Sequence, residues 1–272
     1  TLLSFGNVEM IAVMVNFMSA LCSAFAMLFL FWSITHLARR AMVNNAKTFD
    51  KGTAIAILGS GVVGALAGTF CDSIWFSAVE AEVYSMSLFF TALVVWLMLK
   101  WDEHANEPYA DRWLILIFFI MGVSIGVHWL NLLTIPAMGY LYYFRRYNFS
   151  WSGFILTGAI SVAILGFILK GVITGFASIA TAMEVTFVND FGLPFNSGVF
   201  TFLAFFIASF VAVLYFLKKK KWTFAYNATL ALLMMMIGFS PLVTTVIRAN
   251  ADTPINMNDP KDMPSLMSFL NR

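Results

Sequence analysis

Eight apolar runs, each long enough to cross most or all of a bilayer, leave this chain few folds to choose from. They lie at roughly 9–36, 52–70, 83–99, 113–128, 130–144, 154–174, 198–217 and 223–247. A helix rises about 1.5 Å per residue, so the 52–70 run reaches about 28 Å, close to the ~30 Å hydrocarbon core. Lipid offers no partner to backbone N–H and C=O groups, so such runs must be helices that satisfy their own hydrogen bonds. Composition agrees: 61% of the 272 residues are hydrophobic and 11% are charged, where a soluble domain carries about a quarter charged. The expected fold is all-α, a polytopic transmembrane helical bundle of about eight spans. The short runs 113–128 and 130–144 predict either two tilted spans with a tight turn at His128–Asn131 or one broken unit among neighbours.

Charge fixes the orientation of such a bundle, because basic residues stay with cytoplasmic loops. With residues 39–51 on the cytoplasmic side, alternation puts 100–112, 145–153 and 218–222 there too. These segments hold Arg39, Arg40, Lys47, Lys51, Lys100, Arg112, Arg145, Arg146 and Lys218 to Lys221, 12 of the 16 basic residues. The other side receives Lys170, Arg248, Lys261 and Arg272. Acids run the opposite way: 9 of 14 fall outside, namely Glu9, Asp72, Glu80, Glu82, Glu184, Asp190, Asp252, Asp259 and Asp262. Eight crossings place both ends outside, and a multi-pass location in the cell's inner (cytoplasmic) membrane follows. The Lys218–Lys221 quartet reads as a stop-transfer anchor. Gly64/Gly68, Gly122/Gly126 and Gly171/Gly175 read as small-residue faces for close helix packing.

Residues 1–248 are expected to form the transmembrane core. The polar tail 249–272, with Pro254, Pro260 and Pro264, reads as an extracytoplasmic linker toward a further soluble domain. Thr1 and the lack of a basic n-region point to a natural start further upstream. The stretch 175–197 reads as a long outer loop, or an amphipathic segment covering a site. Cys22 and Cys71 fall at different depths, and His36, His104 and His128 are too scattered for zinc. Any metal requirement stays open.

The stretch CDSIWFSAVEAEVYSM, residues 71–86, carries the chemistry. An acid at the bilayer centre costs roughly 2.5–3.5 kcal/mol, so Asp72, Glu80 and Glu82 belong at the outer interface or in a wet cavity. Helical spacing predicts Trp75, Val79 and Glu82 on one face and Phe76, Glu80 and Tyr84 on another. A plain outer loop decorated with acids is the simpler alternative. The second polar group is His128 with Asn131, also at the outer end of a span. It is suited to a phosphate or sugar hydroxyl, or else to tying a turn between two short helices. Arg248 emerges on the same side. Carboxylates that handle an acceptor proton, a His or cation that steadies a leaving phosphate, and aromatics that flank a sugar make the inventory for sugar transfer from a lipid-linked donor.

At these residues the chain resembles a bacterial family of polytopic membrane proteins whose animal relative is the protein O-mannosyltransferase acting on plexin-type receptor domains. WFSAVEAEVYSM carries the resemblance through Trp75, Ala78, Val79, Ala81, Glu82, Val83 and Tyr84. MGVSIGVHWLNLLTIPAM carries it through Gly122, Gly126, His128, Leu132, Leu133 and Pro136, and VNFMSALCSA through Asn16, Ser19 and Ala20. The resemblance implies a GT-C-like glycosyltransferase fold, a polyprenyl-phosphate-linked sugar donor entering from membrane lipid, and a protein Ser/Thr acceptor on the extracytoplasmic face. Carried residue by residue it matches Trp75, Glu82, Tyr84 and His128; together with the reading of the outer face this makes Glu82, Glu80 and Asp72 the candidate catalytic carboxylates, and Trp75, Tyr84, His128, Asn131 and Arg248 the candidate substrate-binding residues. It also places the principal acid of such enzymes in an outer loop ahead of Thr1, leaving Glu82 as a second acid. Trp129, bulkier than the resemblance leads one to expect beside His128, is a candidate for narrowing the pocket. A lipid or solute transporter is the alternative, though it calls for polar groups at mid-membrane in two matching halves. A structural envelope subunit is the third reading, and nucleic acid is not an expected partner.

Overall fold

The computed structural model describes residues 6–43, 50–251, 253, 256 and 258–271. Lys47, Asp252, Pro254 and Arg272 lie outside the described residues. Among the described residues the chain is helical throughout, with no strand, as the apolar runs require. It divides into two compact units, Thr1–Thr134 and Ile135–Arg272.

The first unit contains α1 (Met10–Met42), α2 (Lys51–Thr69), α3 (Asp72–Val79), α4 (Val83–His104) and α5 (Asp111–Ile125), followed by a 3₁₀ turn at Trp129–Leu133. Helix α1 is its centre, packed on α2, α3 and α4. Contacts between α1 and α4 keep a nearly constant offset in sequence: Ser23 meets Ser85 and Arg40 meets Asp102, both 62 residues apart. A constant offset means that the two helices run parallel. Helix α2 runs back along α1. A Cβ on its Gly61 would lie 2.4 Å from the Thr35 side chain, one on Gly64 2.3 Å from Ile34, and one on Gly68 2.7 Å from Met27. The Gly64/Gly68 face is thus the close-packing surface that the sequence predicts. Gly171 and Gly175 meet only Phe167 and Lys170 of their own helix, so that spacing makes no helix–helix face.

The second unit contains α6 (Thr134–Arg146, its first residue on the boundary), α7 (Trp151–Phe167), a π-helical segment Ile168–Gly175, α8 (Phe176–Val185) and a second π segment Thr186–Asp190. Then follow α9 (Ser197–Lys219), α10 (Thr223–Phe239), a 3₁₀ turn Ser240–Leu242, α11 (Val243–Ala249) and α12 (Met263–Leu270). Ser150 opens α7 by accepting from the Gly153 amide at 3.1 Å, and the Tyr143 hydroxyl receives the Ser150 amide at 2.8 Å, which fixes the α6–α7 corner.

Among the described residues six helices are long and apolar enough to cross a membrane: Met10–Met42, Lys51–Thr69, Val83–His104, Trp151–Asp190, Ser197–Lys219 and Thr223–Ala249. The chain is therefore a multi-pass membrane protein. Of the eight runs, 113–128 and 130–144 become the 15-residue α5 and 13-residue α6, at about 22 and 20 Å each too short to span alone.

The stretch 175–197 differs from its expected loop. Helix continues without interruption from Trp151 to Asp190, 40 residues in all, through the two π segments. The segment is apolar and its one early acid, Glu184, is buried rather than solvated. Its carboxylate accepts from the Asn196 and Val199 amides, the latter at 3.0 Å, and so caps α9 from a neighbouring helix. Helix α12 packs on α8 and on the first π segment, and the Thr181 hydroxyl donates to the Met263 carbonyl at 3.2 Å.

Candidate functional site

Helix direction gathers the polar groups of the first unit at two ends. Helix α5 runs antiparallel to α4: the Tyr84 and His128 rings lie 5.8 Å apart at one end, and His104 stacks on Trp113 at the other. Arg39, Arg40, Lys100, Asp102, Glu103 and Arg112 occupy the end with His104, where Arg40 pairs with the buried Asp102 and Lys100 with Glu103 at 2.9 Å. Asp72, Glu80, Glu82, Tyr84 and His128 occupy the opposite end. The described basic residues of this unit thus gather at one end, where Asp50, Asp102, Glu103, Glu107 and Asp111 also lie.

At the acid end the polypeptide departs from the predicted continuous helix. Helix α3 stops at Val79, and Glu80 is extended, with ψ 146°. Glu82 is extended too, with ψ 153°, and stands as the N-cap residue of α4. Glu82 therefore does not share a helical face with Trp75, nor Glu80 with Phe76 and Tyr84. The physical reason is the helix dipole: carboxylates are disfavoured at the C-terminus of α3 and favoured ahead of the N-terminus of α4. All three acids are exposed. Asp72 sits in the first turn of α3, where the same dipole favours it. Trp75 and Phe76 project outward, 55% and 64% exposed, while Ser77 and Ala78 turn inward.

His128 is extended, and its Nδ1 accepts from the Leu130 amide at 3.1 Å. A neutral ring holding that bond carries its proton on Nε2, leaving a donor pointing away from the turn. Asn131 is fully buried in the turn: its amide donates to the Ser124 hydroxyl at 2.9 Å, and its Oδ1 has no hydrogen-bond partner among the described residues. The Thr134 hydroxyl donates to its carbonyl at 2.7 Å. Trp129 is exposed. Arg248 lies in the last turn of α11, in the second unit, and is exposed. Among the described residues no group of three His, Cys, Asp or Glu side chains is placed to hold a metal ion. A cavity of about 320 Å³ lies on α8, lined by Ser178, Ile179, Ala182, Met183, Thr186 and Phe187. Those residues form one helix face in the second unit.

Sequence reasoning named Ser19 only through the resemblance and missed the other hydroxyls beneath the acid turn. Ser19, Ser23, Ser85 and Ser87 are all buried, in the parts of their helices nearest that turn. The signal was available: buried serines at i, i+4 on α1 need partners, since an unpaired hydroxyl in hydrocarbon is costly.

The fold and this end together define a polytopic, all-helical membrane protein with an acid, aromatic and imidazole cluster at one end of its first helical unit. The family model described as protein O-mannosyl-transferase TMEM260 N-terminal domain matches residues 1–151. The chain belongs to that family and is related to the animal O-mannosyltransferase. The matched residues include Asp72, Trp75, Glu80, Glu82, Tyr84, His128 and Asn131, and exclude Arg248. No curated protein and no solved structure matches the chain.

Proposed function

We propose that the chain is the membrane part of a glycosyltransferase that moves a mannose-like sugar from a polyprenyl-phosphate donor to Ser/Thr hydroxyls of exported proteins. The reaction takes place at the extracytoplasmic face of the inner membrane. The observation that carries this reading is the approach of Tyr84 to His128, two residues from Glu82, inside the region that matches the family. In the reaction the acceptor oxygen attacks the anomeric carbon, the bond to phosphate oxygen breaks, and that oxygen leaves with the electron pair. His128 Nε2–H donates to the departing phosphate and stabilises its charge. Glu82 holds the acceptor hydroxyl and orients it toward the anomeric carbon. A carboxylate takes the acceptor's proton. Trp75 and Tyr84 flank the sugar, while Asp72 and Glu80 shape the negative potential of the turn.

The test is transfer by the full-length protein, purified into nanodiscs, from a polyprenyl-phosphate sugar to a Ser/Thr peptide. Glu82→Gln and His128→Ala are each expected to lower turnover by about 10²-fold, in the range of one positioned acid–base or charge-stabilising group, with normal assembly. Unchanged turnover in both overturns the reading.

A further inference from the structure

We infer that a buried chain of serine hydroxyls clamps the acid-bearing turn, making Ser19, Ser23 and Ser85 positioning residues for Glu82. The inference rests on the function proposed above. It begins with an accounting of backbone groups. Helix α3 ends at Val79, so its last carbonyls have no intrahelical partner. Ser77 carries one of them, and the Ser85 hydroxyl donates to it. Ser85 lies three residues into α4. A single side chain therefore joins the end of the helix before Glu80 to the start of the helix after Glu82.

Ser85 is held in turn. The Ser23 hydroxyl, on α1, donates to the Ser85 oxygen at 3.1 Å. One turn earlier on α1 the Ser19 hydroxyl donates to the Glu82 carbonyl at 3.4 Å. All three serines are nine-tenths or more buried. Each donor points toward the turn: Ser23 to Ser85, Ser85 to Ser77, Ser19 to Glu82. Three helices thus meet on Glu80–Glu82 through hydroxyl bonds, while the Glu82 side chain itself stays exposed.

Close packing alone does not account for this arrangement. Alanine would let α1 and α4 approach as closely, and Ala26 does so on the same helix with no exposed surface. Hydroxyls add direction: they fix where the backbone of Glu82 lies relative to α1. The Glu82 cap has no side-chain hydrogen bond of its own to do so. A carboxylate on an exposed turn needs such a support to keep one position. Ser33 on α1 is the natural control. It is equally buried, its hydroxyl has no hydrogen-bond partner among the described residues, and it lies well along the helix toward the basic end.

The experiment uses the full-length protein with Cys22→Ser and Cys71→Ser, and a reporter thiol introduced between the two glutamates by Ala81→Cys. Ser23→Ala with Ser85→Ala, Ser19→Ala alone and Ser33→Ala are compared for maleimide labelling of that thiol and for kcat and KM of sugar transfer. The clamp predicts that the double variant labels at least about fivefold faster and loses at least about tenfold in kcat, with KM within about twofold and normal assembly. Ser19→Ala changes both quantities in the same direction by less, and Ser33→Ala changes neither. Unchanged labelling in the double variant overturns the clamp. Faster labelling with unchanged kcat overturns its positioning role. If the double variant does not assemble, Ser19→Ala decides, and unchanged labelling there overturns the clamp. Failure of the function is separate: faster labelling in a protein whose Glu82→Gln variant transfers sugar normally leaves the clamp standing and removes the transferase assignment from this turn.

Discussion

A carboxylate inside an apolar helix is tolerable only when its oxygens have partners, and Glu184 shows how closely that is arranged. It serves the free amides of Asn196 and Val199 at the start of α9, an end where a negative charge is also favoured by the helix dipole. For the carboxylate to reach, α9 must come against the α8 backbone. A Cβ on Gly198 would lie 2.5 Å from both Glu184 Cα and the Met183 carbonyl oxygen. Those are backbone atoms that cannot step aside. Gly198→Ala is therefore expected to destabilise the protein by about 1–3 kcal/mol. Glu184→Ala, which takes the acceptor from two amides at the start of α9, is expected to cost a similar amount. Thermal unfolding in detergent checks both, and unaltered melting would refute the cap. Glu184 was visible in the sequence as an acid, but its partners lie 12 and 15 residues on, across a turn whose Asn196 takes a left-handed backbone, with φ 70°. No local pattern announces such a cap.

At the scale of elements, the sequence was most legible where lipid imposes its own rule. The long apolar runs became helices, and Gly64 and Gly68 became the α1–α2 contact because close approach needs a missing side chain. The break between α3 and α4 was not legible. No Gly or Pro interrupts AVEAEVY, so a helical period runs smoothly through it, and only the dipoles of two separate helices explain why the chain opens at Glu80. The continuation of helix to Asp190 was missed for a different reason: 40 residues make about 60 Å, twice the hydrocarbon thickness that defined a span. The Arg40–Asp102 pair, too, joins residues 62 apart. It locks the parallel register of α1 and α4 at the basic end, as the serines do at the acid end. Asp102 is buried and the Arg40 side chain is 56% exposed, so the two partners are unequal. Arg40→Ala takes one cation from a buried carboxylate and is expected to cost roughly 2 kcal/mol, while Asp102→Asn leaves an arginine able to turn to water and is expected to cost less. Denaturation of the two variants decides the order, and equal or reversed costs would contradict this account of the pair.

For the whole molecule, the candidate site was legible as a set of residues and less so as a geometry. Glu82, Tyr84 and His128 were named from composition and spacing, and the structure brings Tyr84 and His128 together because α4 and α5 run antiparallel. Asn131 was named with them, and the structure turns it inward, with its amide on the Ser124 hydroxyl. What makes the cluster a transfer site in the proposal is its side of the membrane, where a lipid-borne phosphate and an exported hydroxyl can meet. The protein carries its own reporter: Cys71 is free and exposed at the start of α3, beside Asp72. A second thiol, introduced by Asn106→Cys, belongs to the exposed turn after α4 at the basic end. In sealed vesicles with the native orientation and with Cys22→Ser, a membrane-impermeant maleimide is expected to label Cys71 at once and the introduced thiol at position 106 only after the vesicles are opened. Labelling at position 106 in sealed vesicles, with Cys71 protected until they are opened, would put the carboxylates in the cytosol and contradict the account.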